Sequence, residues 1–194
     1  MAETTSNYRK HTSKNPLKIF FLRNFRENLA SVLGPLDSKK ILDAGCGEGF
    51  TLQNLYELKI GEVLEGIDYS KGAVGLGKKV HPNLNLKVGD IYNLPYKDGS
   101  FDLVLCIEVL EHLEDPKRAI NELKRVSSKY ILFTVPNEPF WMILNYTEWG
   151  KQKEIGHINH WTFWKFKKLI EESGLKVQSL KLPFPWTMIL AKKT

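Results

Sequence analysis

Three glycines and the acids around them carry the strongest chemical signal in this sequence. Gly45-Cys46-Gly47-Glu48-Gly49 follows the run Ile41-Leu42-Asp43-Ala44, which reads as a strand, a tight turn and a helix start. Glycines in such a turn permit positive φ and let a ligand lie close against the backbone. In an open α/β sheet, ligands bind at the carboxyl end of the first strand. The spacing is not the dinucleotide pattern G-x-G-x-x-G, because Phe50 stands where its third glycine would be. Asp43 and Glu48 also bring negative charge to a helix start, where a pyrophosphate wants none. The loop suits a ligand with an ammonium and a sulfonium, whose own carboxylate can still use the backbone N–H groups. Asp68 ends a second strand nineteen residues after Gly49, where a carboxylate can accept from both hydroxyls of a ribose. Asp90 follows a third strand, Leu84 to Val88, and is offset from it by Gly89, so it reaches the same edge.

Proton transfer, if the reaction needs it, falls to His112, His157 and His160. Imidazole is the side chain that titrates near neutrality. His112 ends Glu108-Val109-Leu110-Glu111-His112, just past the fourth strand, and the other two lie in Gly156-His157-Ile158-Asn159-His160-Trp161. For each, local capping or packing is the competing reading. Glu108, Glu111 and His112, three and four residues apart, also share one face of a helix and can meet by packing alone. Cys46 and Cys106 are the only cysteines, too few for a disulfide framework or a four-thiolate zinc set.

The elements that must position these groups alternate. Strands are expected at 40–44, 62–68, 84–88, 101–107 and 129–135, with helices at 48–59, 70–79 and 115–128. Strands separated by helices imply right-handed crossovers and a parallel sheet covered on both faces. Leu103-Val104-Leu105-Cys106-Ile107 is apolar throughout, as a central strand requires. Asp115 and Pro116 mark a helix start. The helix at 70–79 is weakly specified, because Gly72, Gly75 and Gly77 each disfavour it by up to about 1 kcal/mol. Before the sheet, 1–14 reads as a loose arm, and Asn15-Pro16 opens a helix that Gly34-Pro35 ends. After it, Thr162 caps a last helix, and two strands near 175–182 and 186–192 are joined by Pro183-Phe184-Pro185. That link is too short for a parallel crossover, so the pair is expected to be antiparallel.

The chain resembles class I S-adenosylmethionine (SAM)-dependent methyltransferases, in the broad small-molecule "type 11" group. The matching stretches are LDAGCGEG (42–49), GIDYS (66–70), GDIYNLPYKDGSFDLVLCIEVLEHL (89–113), FTVPN (133–137) and GHINHWTFWKFKKLIEESGL (156–175). The resemblance implies an α/β fold, a doubly wound, seven-stranded, mainly parallel sheet with an antiparallel last strand, plus an added N-terminal helix. It divides the chain into an arm and helix at 1–38 and a methyltransferase domain at 39–194, with 136–161 an acceptor-side insertion. It implies that Gly45, Cys46, Gly47 and Gly49 wrap the methionine part of SAM, with Asp43 near its ammonium. Asp68 would take the ribose hydroxyls with Tyr69 beside the rings, and Asp90 and Ile91 would form the adenine pocket. Cys106 and Ile107 would face the sulfonium, and S-adenosylhomocysteine would be the product.

The acceptor is implied to be a small or medium-sized molecule methylated at O, N or C. Seven of the 22 aromatic residues fall in 136–164 (Phe140, Trp141, Tyr146, Trp149, Trp161, Phe163 and Trp164), which reads as an apolar lid over that acceptor. The E-x-x-E-H stretch with a later histidine is also similar to metal-dependent RNA 2′-O-methyltransferases, where two Glu and two His hold a divalent ion; no metal is expected here. A non-catalytic subunit of the same fold is the third alternative. Charge is uneven: residues 1–40 carry eight Lys/Arg against three Asp/Glu, 41–149 carry eleven against sixteen, and 150–194 carry nine against three. Basic ends can meet nucleic acid, but these lysines are scattered and a nucleic-acid partner is not favoured. With no apolar run near ~18 residues, no membrane span is expected, and the polar N-terminus points to the cytoplasm.

Overall fold

Every β–α alternation expected from the sequence forms. The computed structural model describes residues 5–138, 140 and 156–194. In chain order the elements are α1 (Ser6–His11), α2 (Pro16–Leu33), β1 (Lys40–Ala44), α3 (Phe50–Glu57), β2 (Val63–Asp68), α4 (Lys71–Val80), β3 (Asn85–Val88), β4 (Phe101–Ile107), α5 (Pro116–Val126), β5 (Ser127–Pro136), α6 (Phe163–Glu172), β6 (Leu175–Lys181) and β7 (Trp186–Lys193). The strands form one seven-stranded sheet in the order β3-β2-β1-β4-β5-β7-β6. β1 pairs in parallel with both β2 and β4, and β5 with β4. β7 is antiparallel to both of its neighbours, as the short Pro-Phe-Pro link demands. The strand order reverses between β1 and β4, so their carboxyl ends open a crevice there.

Alternation along the strands sorts the core onto two faces. Leu42, Val104, Cys106, Ile131 and Phe133 pack with Ile120 and Leu123 of α5 and Phe166 and Ile170 of α6. Ile41, Leu103, Leu105 and Leu132 point the other way and meet Phe25, Leu29 and Leu33 of α2. α2 starts as expected, with the Asn15 side chain accepting from the N–H groups of Leu17 and Lys18 and proline in the first turn.

Three local expectations shift. α3 begins at Phe50 and not at 48, because Gly49 holds φ at +84° and caps the helix from outside. α4 forms despite its glycines. Ser70 caps it, and Gly77 lies so close to β3 and the glycine turn that a Cβ would stand 2.7 Å from the Glu48 carbonyl oxygen and 2.6 Å from Leu86. The expected loose arm instead contains α1, capped by Thr5, which accepts from the Tyr8 N–H. A six-residue helix is marginal alone. This one is fixed from a distance: Thr5 and Asn7 both donate to Glu48, the Asn7 bond being 2.5 Å. His11 stacks on Phe50 with centroids 4.5 Å apart.

Candidate functional site

The acids of the glycine turn converge where the strands end. β1 and β2 are in register with Asp43 opposite Gly66 and Ala44 opposite Ile67. β3 carries Val88 opposite Asp68, and the Gly89 N–H donates to the Asp68 carbonyl. Asp43, Asp68 and Asp90 therefore sit on three adjoining strand ends. Asp43 is 2% exposed and its Oδ1 has no hydrogen-bond partner. Burial, and then the charge of Asp68, push its carboxyl up to about 7. A buried acceptor without a donor is costly unless something supplies one, so this atom suits a cationic ligand.

Asp68 is already at work on the backbone. Its Oδ2 accepts from the Gly47 N–H and its Oδ1 from the Ser70 N–H, both at 2.8 Å. Each carboxylate oxygen retains a second lone pair for a ligand hydroxyl. Tyr69, next to it, is 84% exposed, an aromatic ring left for a ligand to cover. Asp90 is exposed and accepts from the Tyr92 N–H at 2.9 Å, closing a small turn, while Ile91 leans on the core.

The glycines have separate tasks. Gly45, at φ +87°, would place a Cβ 2.3 Å from Val109, so it keeps the turn against the segment after β4. Gly47, at φ +54°, faces Asn7 of α1 at 3.0 Å. Gly49 faces Leu84 and Leu86, so the core under β3 accounts for its lack of a side chain. Cys46 is buried against Gly66, and burial raises its thiol far from reactivity. Cys106 is fully buried and likewise raised by burial. Only its backbone, with that of Ile107, can border the crevice.

Of the three histidines, the fold brings two into contact. The rings of His112 and His157 lie 4.8 Å apart, and His112 Nδ1 is 3.2 Å from the Gly156 carbonyl. The clamp that achieves this is backbone: the N–H groups of Ile158 and Asn159 donate to the Glu111 carbonyl, and Asn159 Nδ2 donates to the Leu110 and Leu113 carbonyls. Burial, then the neighbouring His112, lowers His157 to about 4, so it is neutral at physiological pH. His160 stands further off, 6.4 Å from His157 by centroids, with Nδ1 3.2 Å from Glu138.

Glu108, already singled out in the sequence, meets two groups that gave no signal there, Lys10 and Trp186. Glu108 directly follows β4 with φ +54°, a conformation that non-glycine residues hold only under constraint. Its carboxylate pairs with Lys10 of α1 and accepts from Trp186 Nε1 at 2.7 Å. Burial raises the Glu108 carboxyl, but Lys10 and the Trp186 N–H outweigh it and leave it below the ordinary range. Lys10 also lies over the Trp186 ring. A lysine in a polar arm and a tryptophan in the last strand carry no local hint that they meet a residue so distant in sequence.

Glu111 is 1% exposed and neither carboxylate oxygen has a partner. Burial, then the charge of Glu108, raises its carboxyl well above the usual range. Glu111, His112 and His157 offer ligand atoms within 4.8 Å of one another. Two ligands of one ion at ~2.1 Å can be at most ~4.2 Å apart, so a metal would require a slight inward shift.

Of the expected aromatic lid, Trp141, Tyr146 and Trp149 lie outside the described residues. Trp161 packs on the core with its ring 5.5 Å from Phe166, and Phe140 touches Phe184. A cavity of about 360 Å³ beside α2 is lined by His11, Ile19, Leu22 and Arg26, and by none of the expected cofactor residues. Among the described residues no helix is long and apolar enough to cross a membrane.

Comparison with known proteins finds relatives over part of the chain and a similar fold over nearly all of it. Residues 42–130, just under half of the chain, match the family model described as a methyltransferase domain. Norajmaline N-methyltransferase of Rauvolfia serpentina is 42% identical over 96 residues, 46% of this chain and 32% of that protein. Demethylmenaquinone methyltransferase of Streptomyces avermitilis is 34% identical over 105 residues, 54% of this chain and 45% of that protein. The chain thus spans less than half the length of these curated relatives. In fold it is similar to magnesium protoporphyrin IX methyltransferase from Synechocystis, solved with bound S-adenosylhomocysteine, at TM-score 0.71 and 16% identity, covering 96% of this chain and 92% of that one.

Residues 42–130 thus match a methyltransferase-domain model, and the fold is similar to that of class I, SAM-dependent methyltransferases. SAM is the cofactor of that class, and the orphaned Asp43 oxygen beside the glycine turn fits its ammonium.

Proposed function

We propose that the chain transfers the methyl group of SAM to an O, N or C atom of a small or medium-sized acceptor. The observation that carries this reading is the buried, half-unsatisfied Asp43 set beside Asp68 on neighbouring strand ends. Asp43 would hold the ammonium, and the N–H groups of the turn over Gly45, Cys46 and Gly47 would border the carboxylate. Gly49 sets the angle at which α3 leaves. Asp68 would take the ribose hydroxyls under Tyr69, and Asp90 with Ile91 would receive the adenine. The backbone of Cys106 and Ile107 would lie beside the sulfur.

A sulfonium supplies an already activated methyl group, so alignment and exclusion of water carry most of the rate. The segment from Glu108 to His112 and the clamp at 156–160 would border the acceptor. An acceptor that must lose a proton would give it to His157, which is neutral and can accept one, or to His112 or His160. The aromatic stretch after β5 remains our reading of the lid, and a cytoplasmic setting accords with two buried, unbridged cysteines. Isothermal titration calorimetry with S-adenosylhomocysteine tests the core of the proposal. Micromolar affinity is expected, and no heat at millimolar ligand would overturn it.

The unpaired Glu111 between His112 and His157 favours a second reading, a divalent ion held by these three side chains next to the acceptor. Mixed carboxylate and imidazole donors suit Mn²⁺, Fe²⁺ or Zn²⁺. Such an ion, with the basic ends of the chain, would suit the terminal ribose of an RNA. Methyl transfer abolished by a chelator and restored by Mn²⁺ would establish it; transfer indifferent to chelator would dismiss it.

A further inference from the structure

We infer that the outer side of α2, together with the loop between β6 and β7, docks on an anionic lipid surface. The feature is an exposed apolar strip joined by ring contacts. Phe20 meets Phe21 at 5.7 Å, Phe21 meets Phe184 at 5.4 Å, and Phe184 meets Phe140 at 5.7 Å. Phe20 is 61% exposed, Leu17 and Phe140 are both 47% exposed, and Leu182 and Phe184 are also exposed. Phe21 also packs on the core beside Leu22, Phe25, Leu29, Val32 and Leu33 of α2, whereas Leu17 and Phe20 are left exposed. Scattered apolar residues need no explanation, but a contiguous aromatic strip marks an interaction surface.

Charge identifies the occupant. Residues 14–24, which carry half of the strip, contain Lys14, Lys18 and Arg23 and no carboxylate, although Arg23 pairs with Glu27 one turn on. In the other half Lys181 stands directly before Leu182, whereas Lys176, Lys192 and Lys193 lie at the far end of the β6–β7 pair. Aromatic and aliphatic side chains flanked by lysine and arginine suit the headgroup boundary of a bilayer, where the rings enter and the cations meet anionic lipid. The strip also adjoins the candidate site. Phe184 is two residues from Trp186, whose Nε1 donates to Glu108, and the Pro185 carbonyl accepts from the Asn137 N–H. Docking in this orientation brings the acceptor edge to the membrane, which selects an amphiphilic acceptor held in the bilayer. That extension rests on the proposed methyl transfer, whereas the docking does not.

The test is co-sedimentation of the full chain with phosphatidylcholine vesicles, with and without phosphatidylglycerol, at low and high salt. The chain is expected to pellet with phosphatidylglycerol vesicles and to be released by salt. The double variant Phe20→Ser, Phe184→Ser should partition about tenfold less or weaker still. Tyr56→Ser, which removes an exposed ring from α3, should bind as the parent does. An unchanged thermal unfolding midpoint in the double variant shows that the fold survives, and the vesicle readout is independent of cofactor binding. The inference is overturned if the parent ignores phosphatidylglycerol vesicles or the double variant binds them equally. It is overturned too if the substitutions dissolve a homodimer that has no vesicle affinity, since the strip then belongs to a second copy.

Discussion

Cofactor binding should report the ionisation of Asp43. Its carboxyl is raised from an ordinary 3.8 to about 7, chiefly by burial. The cofactor ammonium requires the carboxylate form. With a pKa of 7 the ionised fraction grows from about one-eleventh at pH 6 to about ten-elevenths at pH 8, so affinity should rise about tenfold over that span. The free protein should behave in the opposite sense. A folded pKa above the unfolded one favours the native state when the group is protonated. That contribution is full below about pH 4 and is lost as pH climbs through about 7, with an upper bound of roughly 4 kcal/mol. Calorimetric titration with S-adenosylhomocysteine at pH 6, 7 and 8, in two buffers of different ionisation heat, measures both the affinity and the protons released. Below pH 7 close to one proton should leave on binding. Asp43→Asn should flatten the affinity profile and abolish the release. An affinity that stays level from pH 6 to 8 in the parent protein would refute the assignment of Asp43 to the ammonium.

Other substitutions separate turn from ligand. Asp68→Ala should weaken S-adenosylhomocysteine binding by roughly 1–3 kcal/mol. It should also lower the unfolding midpoint, because the Gly47 and Ser70 N–H groups lose their acceptor; calorimetry and thermal melts read the two effects. Gly45→Ala adds a Cβ in a left-handed conformation and against Val109, and a loss of about 1–3 kcal/mol is expected in urea unfolding. Gly47→Val should displace Asn7 of α1 and weaken cofactor binding, with proteolysis of the first twelve residues accelerated. Lys10→Met leaves the Glu108 carboxylate without its cation. Because that carboxyl is held low in the fold, the variant should be destabilised at pH 8 by about 1–3 kcal/mol and match the parent once acid protonates Glu108.

The parallel core of the sheet was legible because each strand carries its own local signals. Ile41 to Ala44 is apolar but for Asp43 and ends at three closely spaced glycines that favour a turn over continued strand, so the turn announces itself. The antiparallel entry of β7 followed from the length of a three-residue link. What stayed hidden depends on contacts between distant segments. α1 has no apolar periodicity; its anchors are Glu48 and Phe50, more than thirty-five residues away. The three histidines looked equivalent in sequence, and only the clamp of 158–159 on the Glu111 carbonyl pairs His157 with His112 and leaves His160 to Glu138. α4 was obscure for the opposite reason. Its glycines disfavour a helix locally, yet Gly77 is what lets that helix approach the Glu48 carbonyl.

The placement of β7 between β5 and β6 makes the sheet fragile in an uneven way. Among the described residues β6 pairs only with β7, so a lesion that detaches β7 removes two strands at once and leaves a five-stranded remnant. Amide exchange should therefore find β6 and β7 opening together as one cooperative unit, while β1 to β4 outlast them.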